Sequence, residues 1–304
     1  MAPYLSSIDR SNPNDVWLER FLAAYRGSNK EIYKLLMEAA DDAERRLLEL
    51  YGKDNIGAKV ERAQINGTRK IIAEVLQELF RGRILPALRV GRQTSAVASV
   101  KAMNIWDDRI LRGITDSPSQ MKVLKKSLEE TARRGIEVVV KREINGTIPL
   151  SRQVYKTEML AKGQVNRAVN SGITRGNSAA KIAAEVKSMI QPNVRGGVAY
   201  AANRLARTEI NNAFHAQSKA SMKDRPWVSQ VKWNLSKSHK PSGCLCEVYA
   251  NVGNYNAQAI PNKPHPQCFC YVTPDVPSTE FILSQFENGF YDQWLGEQGI
   301  GRAA

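Results

Sequence analysis

Six of the chain's seven cysteines and histidines fall within 32 residues, in two knots. The first is His239 followed by Cys244-Leu245-Cys246, and the second is His265-Pro266-Gln267-Cys268-Phe269-Cys270. Few features restrict a fold more. The surrounding stretch, 236–278, is rich in proline, glycine and asparagine and lacks an apolar stripe, so something other than a hydrophobic core must hold it together. Structural zinc does this with four soft or borderline ligands supplied by two short knuckles. The candidate ligands are His239, Cys244, Cys246, His265, Cys268 and Cys270. The Cys-x-Cys spacing is tighter than the usual Cys-x₂₋₄-Cys. Both thiolates of a pair then reach one metal only through a local turn, and His239 and His265 are available to replace one cysteine of each knot. Four inert buried thiols and late-formed disulfides are the competing readings. A catalytic zinc needs three ligands, an open position and a nearby base, and Glu247 is the sole carboxylate of the first knot.

The 304 residues suit one large domain or two ordinary ones. A content of 42% hydrophobic and 24% charged residues is that of a globular protein. No run approaches the roughly 18 apolar residues of a membrane span. The start lacks a basic stretch followed by an apolar one, so secretion is not expected and a disulfide scaffold is disfavoured. With three histidines in all, and with no His-Glu-x-x-His helix, His-x-Glu deaminase pattern, Gly-x-Ser-x-Gly elbow or Gly-Lys-Ser/Thr loop, several enzyme classes drop out.

The net charge of +14 is unevenly spread. Residues 1–150 hold 26 basic and 20 acidic side chains, residues 151–240 hold 16 and 4, and residues 241–304 hold 2 and 6. A smaller basic island, Arg81, Arg83, Arg89 and Arg92, contains no acid. Clustered Lys/Arg points to a polyanion partner, because neutralised phosphates release counterions. A solubilising surface or an acidic protein partner would use the same charges.

Hydrophobic periodicity makes the chain mainly α. Ser28 with Glu31 has capping-box spacing before the stripe Ile32, Leu35, Leu36, Ala39, Ala43, Leu47 and Leu50, which Gly52 ends. A second stripe, from Val60 to Leu79, breaks near Arg81-Gly82-Arg83. Residues 84–115 are helix-compatible, and Ser117-Pro118 opens a further helix. Asn145-Gly146-Thr147-Ile148-Pro149 is a breaker, which puts the domain boundary between 148 and 149. Helices follow at about 151–171, 179–190 and 198–222, then a strand through Val228, Val231, Trp233 and Leu235, the loop-like knot region 236–278, and a final helix at about 278–296. The expected architecture is a domain of long helices over 1–148, then an α+β domain over 149–304. The second domain carries a small Cys/His-rich loop region at 239–270 and a short C-terminal helix.

One ordered series of motifs resembles a known family. Ala206-Arg207-Thr208-Glu209 lies in a helix; Trp233 opens a segment running to His239; Cys246-Glu247-Val248-Tyr249-Ala250 follows; and Pro264-His265-Pro266-Gln267-Cys268-Phe269-Cys270 closes it. Over about residues 170–275 this resembles the phage Mu F-like minor head proteins, the phage head morphogenesis family. The first knot departs from the family's more frequent Cys-x-x-Cys, and Phe269 stands where arginine is frequent. The resemblance implies a non-enzymatic minor capsid protein of a tailed phage or prophage. Such a protein occupies the virion head at the portal vertex, and the host cytoplasm during assembly. Expected partners are the portal protein, a major capsid or scaffold protein, and double-stranded DNA without sequence specificity, with no membrane. The N-terminal helices would dock to the portal.

Arg207, Thr208, Glu209 and Trp233 read as structural. Positions 207 and 209 do not share a helix face, so each ties a different neighbour, and Trp233 is a core anchor rather than a base-stacking platform. His215 is a surface or satisfied core residue, not a ligand. Two further function classes remain open at this level: a zinc-dependent nuclease and a stand-alone DNA-binding protein.

Overall fold

The computed structural model describes residues 12–52, 57–141, 149–192, 197–236 and 243–299. Helix accounts for 77% of it, and a small three-stranded sheet completes a mainly α fold. The helices are α1 (Pro13–Tyr51), α2 (Ile65–Gln77), α3 (Leu85–Ile114), α4 (Pro118–Lys141), α5 (Leu150–Thr174), α6 (Ala179–Ile190), α7 (Gly197–Lys223), α8 (Leu245–Val252), α9 (Thr279–Glu287) and α10 (Asp292–Glu297). The strands are β1 (Gln230–Asn234), β2 (Asn254–Asn256) and β3 (Tyr271–Asp275).

Compactness divides the chain differently from the breaker at 145–149, of which 145–148 lie outside the described residues. One unit gathers the described parts of Met1–Tyr25, Arg92–Ile144 and Ile210–Ala304; the other gathers Arg26–Gly91 and Asn145–Glu209. The boundaries fall inside α1, α3 and α7. Helical periodicity reports which residues face a core, not which core they face, so sequence alone assigns such helices to one domain.

The second unit is an all-helical core of aliphatic stripes. Ile32, Leu36, Leu47, Ile72, Leu76, Phe80, Val165, Ile182 and Val198 are all buried in one cluster. Helix α6 matches its expected limits, with the Ser178 hydroxyl accepting from the Lys181 N–H as N-cap. Two expectations fail here. Helix α1 does not begin at Ser28 but at Pro13, where Asn12 caps it by accepting from the Asn14 N–H at 3.0 Å. The buried Trp17, Phe21 and Tyr25 continue the stripe backwards, and this packing overrides the local capping signal. The helix also does not break at Arg81-Gly82-Arg83. Residues Glu78–Ile84 form a π-helical segment joining α2 to α3. Pro86, just beyond it, lacks an N–H and its ring would clash with an α-helical carbonyl one turn back. A widened segment is a known way of accommodating such an insertion without ending the helix.

The first unit is built on aromatic and sulfur side chains. Its sheet has the order β2-β1-β3, antiparallel throughout, with Trp233 opposite Val272 and Val231 opposite Tyr255 and Pro274. Val231 and Trp233 face the core while Lys232 is exposed. Pro274 is tolerated because β3 is an edge strand. The expected loop at 236–278 in fact contains α8, β2 and β3. An eight-residue helix and three- to five-residue strands are too short to establish a period. The expected final helix is interrupted: Gly289, at φ 77°, ends α9 before α10 begins.

Candidate metal centre

The two knots meet. The Cys244 and Cys246 thiols lie 3.3 and 3.6 Å from His265 Nε2, and the Cys246 and Cys268 sulfurs are 3.4 Å apart. The donor atoms form two triads, Cys244–Cys246–His265 and Cys246–Cys268–Cys270, each with all separations within 4.8 Å. Cys246 is common to both. Five of the six ligands expected from the sequence are therefore brought together; His239 lies outside the described residues.

Local backbone explains how so tight a spacing works. Gly243, at φ 76°, turns the chain into α8. Cys244 is the residue before the first helical turn and Cys246 lies within it, so the helical curl brings both sulfurs round to His265. On the other side Gln267 has φ 60°, the one positive φ outside glycine among the described residues. This left-handed turn carries the chain from His265 to Cys268. Cys268 and Cys270 then sit two apart on extended chain leading into β3, where alternate side chains share a face.

The distances are those of free thiols and are compatible with a metal ion. A disulfide needs sulfurs about 2.0 Å apart, so the cysteines are free. A tetrahedral zinc with bonds of about 2.0–2.3 Å places its ligand atoms roughly 3.3–3.8 Å apart, a span that includes the three observed separations. Cys246, Cys268 and Cys270 are 0, 2 and 1% exposed. Burial pushes the Cys246 thiol up to about 12. Donation from the Cys268 thiol, assisted by the Ser236 N–H, holds Cys270 down to about 5, and the donor Cys268 is pushed up.

A counter-charge is built in. The Lys263 ammonium donates to the Cys268 carbonyl at 3.2 Å and to the Cys270 carbonyl, and lies 5.4 Å from the centre of the Phe21 ring. Burial lowers its pKa and the neighbouring thiolates oppose that shift. An ammonium there offsets the negative charge of a thiolate-rich centre. Sequence reading missed Lys263.

It also missed a polar ladder on α7. Asn211, His215 and Lys219, spaced by four residues, each hold the segment that carries the second knot. Asn211 Nδ2 donates to the Cys268 carbonyl at 3.0 Å, His215 Nε2 to the Pro261 carbonyl at 2.8 Å, and Lys219 Nζ to Asn262 Oδ1 at 2.8 Å. The spacing i, i+4, i+8 of polar residues was the available signal. A carbonyl only accepts, so Nε2 carries a proton. Burial, with Lys263 nearby, lowers its pKa to about 3. His215 is thus a buried core residue held through Nε2, its Nδ1 having no hydrogen-bond partner among the described residues, and it meets the buried Trp233 edge-on at 5.6 Å. Trp233 in turn packs on Tyr249 of α8 at 5.0 Å. Phe269 is buried edge-on against Tyr25 at 4.9 Å, an aromatic setting that suits phenylalanine rather than arginine.

Of the Ala-Arg-Thr-Glu motif, Glu209 is buried, Arg207 is partly exposed, and the Thr208 hydroxyl donates back to the Arg204 carbonyl at 2.8 Å.

The basic island does not form one polyanion-facing surface. Arg92 is buried and donates to the Val139 carbonyl. Arg81 grips the fully buried Glu158 with two hydrogen bonds, at 2.6 and 3.3 Å, and lies over the Tyr155 ring. Arg83 pairs with Glu38 at 2.8 Å. Arg81 thus satisfies a buried carboxylate, while Arg83 is paired with an exposed one. Arg89 alone of the four remains exposed without an ion pair among the described residues. No described helix is long and apolar enough to cross a membrane.

Compared with known proteins, the chain matches no family model, no curated protein and no solved structure.

Proposed function

We propose that the protein is a non-catalytic minor head protein of a tailed phage or prophage, which docks at the portal vertex and whose Cys/His cluster is a structural zinc centre. One observation carries the reading. The short motifs behind the family resemblance are scattered over the sequence, yet Cys246, Tyr249, Trp233, His265, Cys268 and Cys270 all belong to one braced cluster. Burial of three of the thiols suits a closed structural site better than a catalytic one, which keeps a ligand position open. Bound zinc would cross-link the start of α8 to the 265–270 turn, where short elements offer little core of their own. Lys263 offsets its ligands' charge, and Asn211 and His215 hold the turn in place.

Two measurements test the two halves separately. Elemental analysis of protein expressed in zinc-replete medium should find one zinc per chain, absent from Cys246→Ser. Co-expression with the portal protein of the same phage or prophage should give a co-purifying complex. A soluble, folded chain that never associates with that portal ring would overturn the assembly role while leaving the zinc centre standing.

A further inference from the structure

Two exposed surfaces of the chain are complementary in both charge and apolarity. On α5 the outward face presents Tyr155, Met159 and Leu160, at 48, 50 and 59% exposure, among exposed Arg152, Lys156 and Arg167. The acid of this helix, Glu158, is turned inward and fully buried. Gly163 sits on the same face, and a Cβ there would meet only the Arg167 guanidinium at 3.5 Å. No described residue requires a glycine at that place, and it leaves the helix backbone open to close approach. The second surface lies on α9 and α10. Phe281 and Phe290 stand 52 and 69% exposed among exposed Glu280, Glu287, Asp292 and Glu297. Between Lys263 and Arg302 the chain has five acidic residues and no basic one.

Single exposed apolar residues are ordinary, whereas clusters rimmed by charge mark interaction sites. Three large apolar side chains at the centre of a basic rim have the anatomy of a protein interface. Phosphate contacts would use the cations without them.

We propose that the protein self-associates head to tail, the acidic aromatic surface of α9 and α10 in one copy seating on the basic apolar face of α5 in the next. The two patches differ, so the same contact can close reciprocally between two copies, close into a ring or propagate as an open chain. This goes beyond the reading as a portal-associated protein and does not depend on it.

Two full-length variants test it. One carries Arg152→Glu and Lys156→Glu on α5, and the other carries Glu280→Lys and Asp292→Lys at the C-terminal end. Sedimentation of the purified wild type should show concentration-dependent assembly that weakens between low and high salt, since exposed charges are screened there. Each variant alone should need at least about tenfold more protein to assemble. An equimolar mixture of the two should recover assembly, because each reversed face then meets its opposite. Recovery on mixing shows that neither variant failed by misfolding. A wild type that stays monomeric at all accessible concentrations would overturn the proposal, as would variants that assemble like the wild type. Loss of binding to a DNA duplex by the α5 variant, with assembly unchanged, would assign that face to nucleic acid and also overturn it.

Discussion

The helical unit and the cysteine-bearing unit solve the same problem by opposite means. In the helical unit, long stripes such as Ile32–Leu36–Leu47 and Ile182–Val186–Ile190 interlock over many turns. Its fully buried Glu158 is paired with Arg81 and Lys162. Around the knots, the elements are three to nine residues long, and order comes from individual contacts: sulfur donors, a buried lysine, a ladder of side-chain hydrogen bonds and edge-on aromatic pairs. Distributed packing tolerates the loss of one residue. A cluster of single contacts does not.

The largest expected difference follows from removing the metal. Chelation, or Cys246→Ser, should strip hydrogen-exchange protection from α8, β1 and β3 while amides of α2, α5 and α6 keep theirs. Structural zinc sites contribute on the order of 10 kcal/mol to their folded state, more than short elements can replace. Equal loss in both units would erase the contrast drawn here.

Next in size is the buried pair Arg225–Asp107, with contacts from 2.5 to 2.9 Å. Arg225→Met leaves Asp107, whose pKa burial already raises, without its partner. We expect a loss of about 3–5 kcal/mol in denaturant unfolding, with metal content unchanged. Zinc lost together with stability would mean that the pair supports the centre directly.

How much of this the sequence showed depends on the region. Helices α4 to α7 were legible because ten or more residues repeat one period, and Pro118 and Ser178 mark their starts. The five described ligands were legible because cysteines and histidines are rare in the chain. The arrangement of units was not, since a stripe does not name its partner. Helix α8 was hidden because its inward residues include Cys246, a candidate ligand itself, and Lys263 because its role exists only once the 261–270 loop is folded. The basic island misled for a related reason: composition counts Arg81 and Arg92 as surface charge, while the fold turns one to Glu158 and buries the other.

A moderate effect should appear with pH. The folded chain keeps His215 neutral down to about 3, while an unfolded histidine takes up its proton near 6.5. Between those values unfolding binds a proton, so stability falls as pH drops, by up to about 1.4 kcal/mol per pH unit from this group. His215→Gln keeps a donor for the Pro261 carbonyl without the titration. Unfolding curves at pH 7 and pH 5 should converge more closely for that variant than for the wild type. An equal pH dependence would remove His215 as the cause.

The smallest expected effect concerns the left-handed turn at Gln267. Glycine adopts φ 60° freely and a β-branched residue resists it. Gln267→Gly should be neutral or mildly stabilising and Gln267→Val should cost about 1–2 kcal/mol, read by thermal unfolding of the zinc-loaded protein. If both behave alike, the turn is not what positions Cys268.

The central claim is that the two knots close on one metal ion. X-ray absorption at the zinc edge of the purified full-length chain tests it most directly. The account predicts one zinc per chain with four ligands, at least two of them sulfur at about 2.3 Å, and loss of the sulfur shell in Cys246→Ser. Protein from zinc-replete cells that carries no bound metal, with all four thiols free and stability indifferent to chelator, would contradict it.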